Sequence, residues 1–390
     1  MKNFTTAALF FLAAGILTSV SILSVYQILF AIPLCYYTWF AVKNKQVNLP
    51  KSAWFLLAFI AVALLSLVVN YDLIPKPSKN FGRLKYFLFG VGGIFVYRAW
   101  INEASDSVKK FLVNIFLISI IIAGGCAIYS FAFSSNTRAR GLTDIMRYGY
   151  GSAMLLLTLL SALFHREKIK AWFDWRVALV AFVFGFAGMY LTYTRGALLG
   201  FLCGLPFVLY FYRPKLGLYL GGLAVLGVLG LGSIYLFGSG NYESRFLVNK
   251  NNESDVIRRS QWQAAMIATQ EKPFLGWGLS NFHSQLKRIK NQYDLDAKYY
   301  NSEHSHNLFL EIMSGTGVIG LLFFLGWLIS WAIESFKFGG LKRALIVPFG
   351  VAFVVSSQFE VTFDANNVCM IFFLYSMTYS EIKKSNSLNA

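Results

Sequence analysis

Charge is scarce in this chain. Of 390 residues only 18 are acidic, and charged side chains of both signs make up 14%, against about a quarter in a soluble domain. That shortage excludes bulk water as the solvent for most of the chain. Cysteine (4) and proline (8) are also few. Cys35, Cys126, Cys203 and Cys369 all fall inside apolar blocks and none has metal-site spacing, so they read as small packing residues and exclude a disulfide framework. Tracts of Gly, Pro, Ser or Gln that mark disorder or fibre are absent. So are a nucleophile elbow, a Walker loop, a kinase signature and a zinc-ligand cluster. What is present is apolar: 56% hydrophobic residues, 17% aromatic and a mean hydropathy of +0.54. These residues come in blocks of roughly 17–25, long enough to cross a bilayer as helix. The pattern predicts an all-α polytopic membrane protein. The first block has no small-residue cleavage site and reads as a retained span.

Twelve spans are expected, near 4–22, 24–42, 52–70, 82–98, 111–133, 147–164, 176–193, 196–212, 216–237, 306–333, 342–358 and 365–380. The organisation is then nine spans over 1–237, one large polar loop over 238–305, and three spans over 306–390. Loops on one side hold eighteen basic residues against six acids, among them Lys43, Lys45, Lys51, Lys109, Lys110, Arg166 and Lys168. The positive-inside rule makes this side cytoplasmic, with both termini inside and the large loop outside.

The other seventeen basic residues sit on the outer side, where loop bias gives no reason for them. Arg83, Arg140, Arg147 and Arg195 stand at span mouths. A single arginine there can snorkel to the interface. Four such mouths on the outer side point to a site for an anionic, lipid-linked ligand, because the planar guanidinium fork matches phosphate. No stripe of bases with a reading motif supports nucleic acid as a partner.

Four histidines are candidates for chemistry. His165 lies among inner basic residues and His283 in the large loop. His304 and His306 stand where that loop re-enters the membrane. Ser305 is the expected N-cap there, which places His306 in the first helical turn, where the helix dipole favours a neutral, proton-accepting ring. The stretch His306-Asn307-Leu308 to Gly317-Val318-Ile319-Gly320 resembles the signature of the O-antigen ligase family: His, then Asn, Ser or Gln, nine residues, and Gly-x-x-Gly. Arg195 to Leu199 resembles the family's Arg-x-x-x-Leu element. Arg258 and Trp262 match an Arg four residues before a Trp, and Pro273 to Gly278 resembles its Pro-x-x-Gly-x-Gly turn. The resemblance covers roughly residues 140–380.

The resemblance implies a GT-C-like membrane glycosyltransferase of the outer leaflet, without metal or other cofactor. It would transfer a glycan from undecaprenyl pyrophosphate to a lipid A–core sugar with inversion. His306 would be the general base, and Arg195, Arg258, Arg259 and Arg140 would bind the donor pyrophosphate. Asn307, Gly317 and Gly320 would support them, and either Asp364 or Glu360 would fill the family's acidic position before the last span. The same superfamily contains polymerases that extend the lipid-linked glycan itself. A lipid-linked oligosaccharide transporter is the alternative of a different class; the one-sided site and the lack of mid-span charge favour an enzyme. Asp294-Leu295-Asp296 has a metal-binding form but is common by chance, and the glycine run from Gly217 to Gly230 reads as close helix packing. In the large loop, Ser254-Asp255 is expected to cap a helix whose buried face carries Trp262, Ala265, Met266 and Thr269.

Overall fold

A computed structural model describes residues 1–134, 138–216, 253–293, 295 and 304–380. The expected span near 216–237, the Asp294–Asp296 pair and the glycine run lie outside the described residues, as do Lys383 and Lys384. The described chain forms thirteen α-helices: α1 (Lys2–Gly15), α2 (Val20–Lys43), α3 (Lys51–Val69), α4 (Pro77–Glu103), α5 (Asp106–Phe133), α6 (Ile145–Phe164), α7 (Trp175–Leu191), α8 (Arg195–Tyr212), α9 (Glu253–Glu271), α10 (Phe282–Gln292), α11 (Leu308–Lys337), α12 (Gly340–Ser356) and α13 (Ala365–Thr378). Among the described residues no strand occurs.

Six helices, α2, α3, α4, α5, α8 and α11, are long and apolar enough to cross a membrane. Helices also stand at five of the other expected ranges, but shorter or less apolar. The first is the clearest difference: α1 stops at Gly15 after 14 residues, a length of about 21 Å, short of the ~30 Å hydrocarbon core. Ser19 then caps α2 by accepting from Ile22 N at 3.4 Å. The periodicity of an apolar run does not reveal such a break.

The helices pack as a bundle in which α8 lies on α12, α5 on α7, α3 on α11 and α4 on α13. Small residues let the backbones close up. At Gly124 of α5 an added Cβ would lie 2.4 Å from the Phe184 carbonyl of α7. Outward-facing Ile28, Val69 and Leu322 are 70%, 62% and 62% exposed, an arrangement that costs free energy in water and none in lipid.

Helices α9 and α10 stand apart from the bundle core around their own small cluster of Ala264, Ala265, Ala268, Phe282, Leu286 and Ile289. The helix predicted in the large loop is present, but its inward face differs. Ala265 and Thr269 are buried as expected, Trp262 is half-buried, and Met266 is 46% exposed. Gln261, Ala264 and Ala268 take the buried positions instead. Alanine rather than the long side chains sets this face, because α9 rests against α10 and α11 at close range. Trypsin added to the folded protein is therefore expected to cleave slowly between Arg258 and Lys272; rapid cleavage there, followed on a gel, would contradict a docked α9.

Candidate functional site

The loop before α11 and the loop between α12 and α13 are tied together at one end of the bundle. Asn307, not Ser305, caps α11: its Oδ1 accepts from Phe309 N at 3.0 Å and Leu310 N at 3.1 Å. His306 thus lies one residue outside the helix, with a left-handed φ of 50°, and is not in the first turn. Ser305 Oγ instead donates to the Asn307 carbonyl at 2.7 Å, and Glu311 reaches back to accept from Ser305 N at 3.1 Å. Asparagine holds the cap because its other arm has a partner: Asn307 Nδ2 donates to Gln358 O at 3.2 Å, beside Leu308 N to Ser357 O at 2.8 Å.

This clamp brings three side chains together. His306 Nδ1 lies 3.1 and 3.0 Å from the two oxygens of Glu360, and His304 Nε2 lies 2.6 Å from Glu360 Oε1. The imidazole centroids are 4.6 Å apart. Glu360 is 6% exposed. Burial works to raise its carboxyl, but the hydrogen bonds and charge of His304 and His306 outweigh it and hold the group well below the usual carboxylate range. With an ionised Glu360 as acceptor, His306 must donate from Nδ1, so the neutral ring carries its lone pair on Nε2.

Of the two acids that the sequence leaves open, Glu360 is the one at the histidines. Asp364 caps α13, accepting from Asn366 N, Asn367 N and Asn367 Nδ2, each at 2.9 Å. Burial pushes its carboxyl up to about 6, against these bonds and Arg147.

Three of the basic residues act on one buried tyrosine, which nothing in the sequence singles out. Tyr150 of α6 is 1% exposed, and the charges acting on it are Glu360, Arg258, Arg138 and Arg195. Its hydroxyl would sit 2.5 Å from a Cβ at Gly196, immediately after Arg195. Arg195 is the first residue of α8. Arg138 is fixed to the turn before it, donating from Nε to Thr192 O at 2.8 Å and from Nη2 to Thr194 Oγ1 at 3.1 Å. Arg140 is exposed, with its backbone against Ser130. Arg259 is also exposed, one residue beyond Arg258. A basic pair two residues apart does not tell which member turns inward.

Of the two motif glycines, one breaks the helix it stands in. Gly317 has φ 71° and ψ −177° and interrupts α11. The turn from Pro273 to Gly278 fills the interruption. Trp277 N donates to Ser314 O at 3.0 Å, Gly278 N to Gly315 O at 2.8 Å, and Val318 N to Pro273 O at 2.8 Å. These bonds satisfy backbone groups that the broken helix leaves over. The turn is held from the other side by Asn70 Nδ2 to Gly276 O at 3.1 Å and Lys272 Nζ to Asn70 Oδ1 at 2.6 Å. Gly320 is helical, with Thr316 packed against it. Arg258 is thereby carried on a unit anchored to the helix that follows His306.

Apolar helices of membrane-crossing length and a buried polar site at one end of their bundle define a multi-pass helical membrane protein. Residues 180–325 match the family model described as O-antigen ligase. None of the curated proteins matches the sequence. The matched segment contains Arg195, Arg258, His306, Gly317 and Gly320; Arg138, Tyr150, Glu360 and Asp364 lie outside it.

Proposed function

We propose that the protein is an O-antigen ligase acting on the outer face of a bacterial inner membrane, with both termini cytoplasmic. It joins a glycan carried on undecaprenyl pyrophosphate to a hydroxyl of a lipid A–core sugar. The observation that supports this reading most is the His306–Glu360 pair standing at the same end of the bundle as Arg195, Arg258 and Arg138. The N-termini of α6, α8, α11 and α13 carry these groups or adjoin them, and the positive ends of helix dipoles favour an anionic ligand.

In this mechanism Nε2 of His306 takes the proton of the acceptor hydroxyl, while Nδ1–H to Glu360 fixes the ring and stabilises the imidazolium that forms. The acceptor oxygen bonds to the anomeric carbon as the bond from that carbon to the pyrophosphate oxygen breaks. Attack from the opposite face inverts the centre. The leaving pyrophosphate gains negative charge, and Arg195, Arg258 and Arg138 bind it, with Arg259 in support. Asp364 and Asn307 position the loops; no step requires a metal. A polymerase would use the same groups with a second lipid-linked glycan as acceptor. Purified protein incubated with lipid-linked glycan and lipid A–core, without ATP or metal, tests the proposal. Joined lipid A–core product supports ligation, longer lipid-linked chains alone would make it a polymerase, and neither product would overturn glycosyl transfer.

Lysine at position 195 or 258 keeps the charge but loses the bidentate fork. Arg195→Lys and Arg258→Lys are each expected to lower transfer at least about tenfold, the equivalent of ~1.4 kcal/mol. Normal turnover by both, measured on the same lipid-linked donor, would remove these residues from the phosphate clamp.

A further inference from the structure

A base needs one orienting carboxylate, yet Glu360 has two histidines. His304 is the surplus, and its presence gives the site a second capacity. We propose that His304, His306 and Glu360 bind a divalent transition-metal ion of the zinc type, and that this ion inhibits the enzyme by competing for the base. The competition rests on the reading of His306 above; the binding does not.

The three donors, His304 Nε2, His306 Nδ1 and a Glu360 oxygen, converge within 4.8 Å of one another. The carboxylate contacts are 2.6 Å to His304 and 3.0 Å to His306. Donors around a tetrahedral ion at about 2.0–2.1 Å lie roughly 3.4 Å apart, so an ion replaces the hydrogen bonds with modest shifts of the rings about the carboxylate. Two imidazoles and one carboxylate suit zinc and its neighbours rather than magnesium or calcium, and they leave a coordination position open. The donors are also pre-positioned. Glu360 Oε1 accepts from Val361 N at 3.0 Å, and the histidine loop is pinned on both sides of His306. A second carboxylate, Glu311, stands beside the histidine loop on Ser305 N.

Metal binding and base catalysis exclude each other on His306. In the metal-free site Nδ1 holds the ring proton and Nε2 the lone pair. An ion on Nδ1 displaces that proton, and the neutral ring then carries its proton on Nε2, where it no longer accepts one from a hydroxyl. His304 changes in the opposite sense, from Nε2–H to Nδ1–H. Each ring keeps one proton, so the exchange balances.

Cobalt(II) tests this directly, because coordination by nitrogen and oxygen in a four- or five-coordinate site gives visible absorption. CoCl2 titrated into the full chain, purified without a polyhistidine tag, is expected to give one saturable absorption per chain that Zn2+ displaces. His304→Ala and Glu360→Gln should each weaken it at least about 100-fold, since losing a ligand exceeds the 10–100-fold typical of an outer-shell partner. His165→Ala and His283→Ala, which alter the two remaining histidines, should leave it unchanged. Size-exclusion profiles check that each variant is folded. No saturable absorption in the wild-type protein, or undiminished absorption in both ligand variants, would overturn the ion site. Saturating Zn2+ should stop transfer and a chelator restore it; transfer that continues in the zinc-loaded protein would overturn the competition. Transfer without any cobalt absorption would remove the ion site and leave the transferase reading standing.

Discussion

His306→Ala is expected to abolish glycan transfer while the protein inserts and purifies as the wild type does. A positioned general base contributes about 10²–10⁴ in rate, and the other imidazole on Glu360, His304, is held through Nε2 and so presents its lone pair on Nδ1 instead. The fold should tolerate the change. The side chain of His306 is 20% exposed, the α11 cap is made by Asn307, and the clamp to 357–358 runs through backbone and Asn307 atoms. Left-handed backbone at His306 costs an alanine about 1 kcal/mol more than a glycine, which is small beside the stability of a bundle of this size. Glu360→Gln separates positioning from charge. The amide keeps the shape but stabilises the imidazolium less and can hold the wrong tautomer, an effect worth up to about 10⁴ where a triad carboxylate is so replaced. Transfer by His306→Ala within tenfold of wild type, measured as joined product over time, would move the base to His304.

The motif proposed to carry the chemistry is readable because its spacing is local. His306, Asn307, Gly317 and Gly320 lie on one segment, and Arg195 and Arg258 on recognisable neighbours. Their partners are not. Glu360 is 54 residues from His306, and only the clamp between the two loops selects it over Asp364. From sequence both acids stand close before the last span and neither is singled out; in the fold the place of Asp364 makes it an N-cap, with its oxygens already occupied. The cap of α11 was misplaced by two residues for a related reason. Serine and asparagine both suit the position, and the choice falls to Asn307 through a contact with Gln358 that the local sequence does not contain. Tyr150 left no signal, since a tyrosine in an apolar span is usually core. Its place shows only in the fold, with its hydroxyl against Gly196 and charges from α8, α9 and the loops before α6 and α13 acting on it.

Gly317→Ala is expected to release the α9–α10 unit and with it Arg258. Two effects act together at this position. A φ of 71° with ψ −177° belongs to a region that is essentially glycine's alone, at a cost of about 1–3 kcal/mol to any other residue. The new Cβ would also lie 2.0 Å from Phe274 O and 2.2 Å from its carbon. Both atoms are backbone, so no rotamer relieves the overlap. The chain has an alternative: residue 317 becomes helical and α11 runs straight. Val318 N then bonds to Ser314 O and Ile319 N to Gly315 O in the ordinary helical pattern. Those are the carbonyls that now accept from Trp277 and Gly278, so a repaired helix expels the turn from Pro273 to Gly278. Helical content is therefore expected to stay constant by circular dichroism while tryptic cleavage between Arg258 and Lys272 accelerates and transfer falls. Gly320→Ala serves as the control. Its Cβ would meet the side chain of Thr316 at 2.0 Å, but position 320 is helical and Thr316 can change rotamer, so a smaller loss with no gain in cleavage is expected. Wild-type cleavage and transfer in Gly317→Ala would show that the interruption of α11 is not what holds the unit in place.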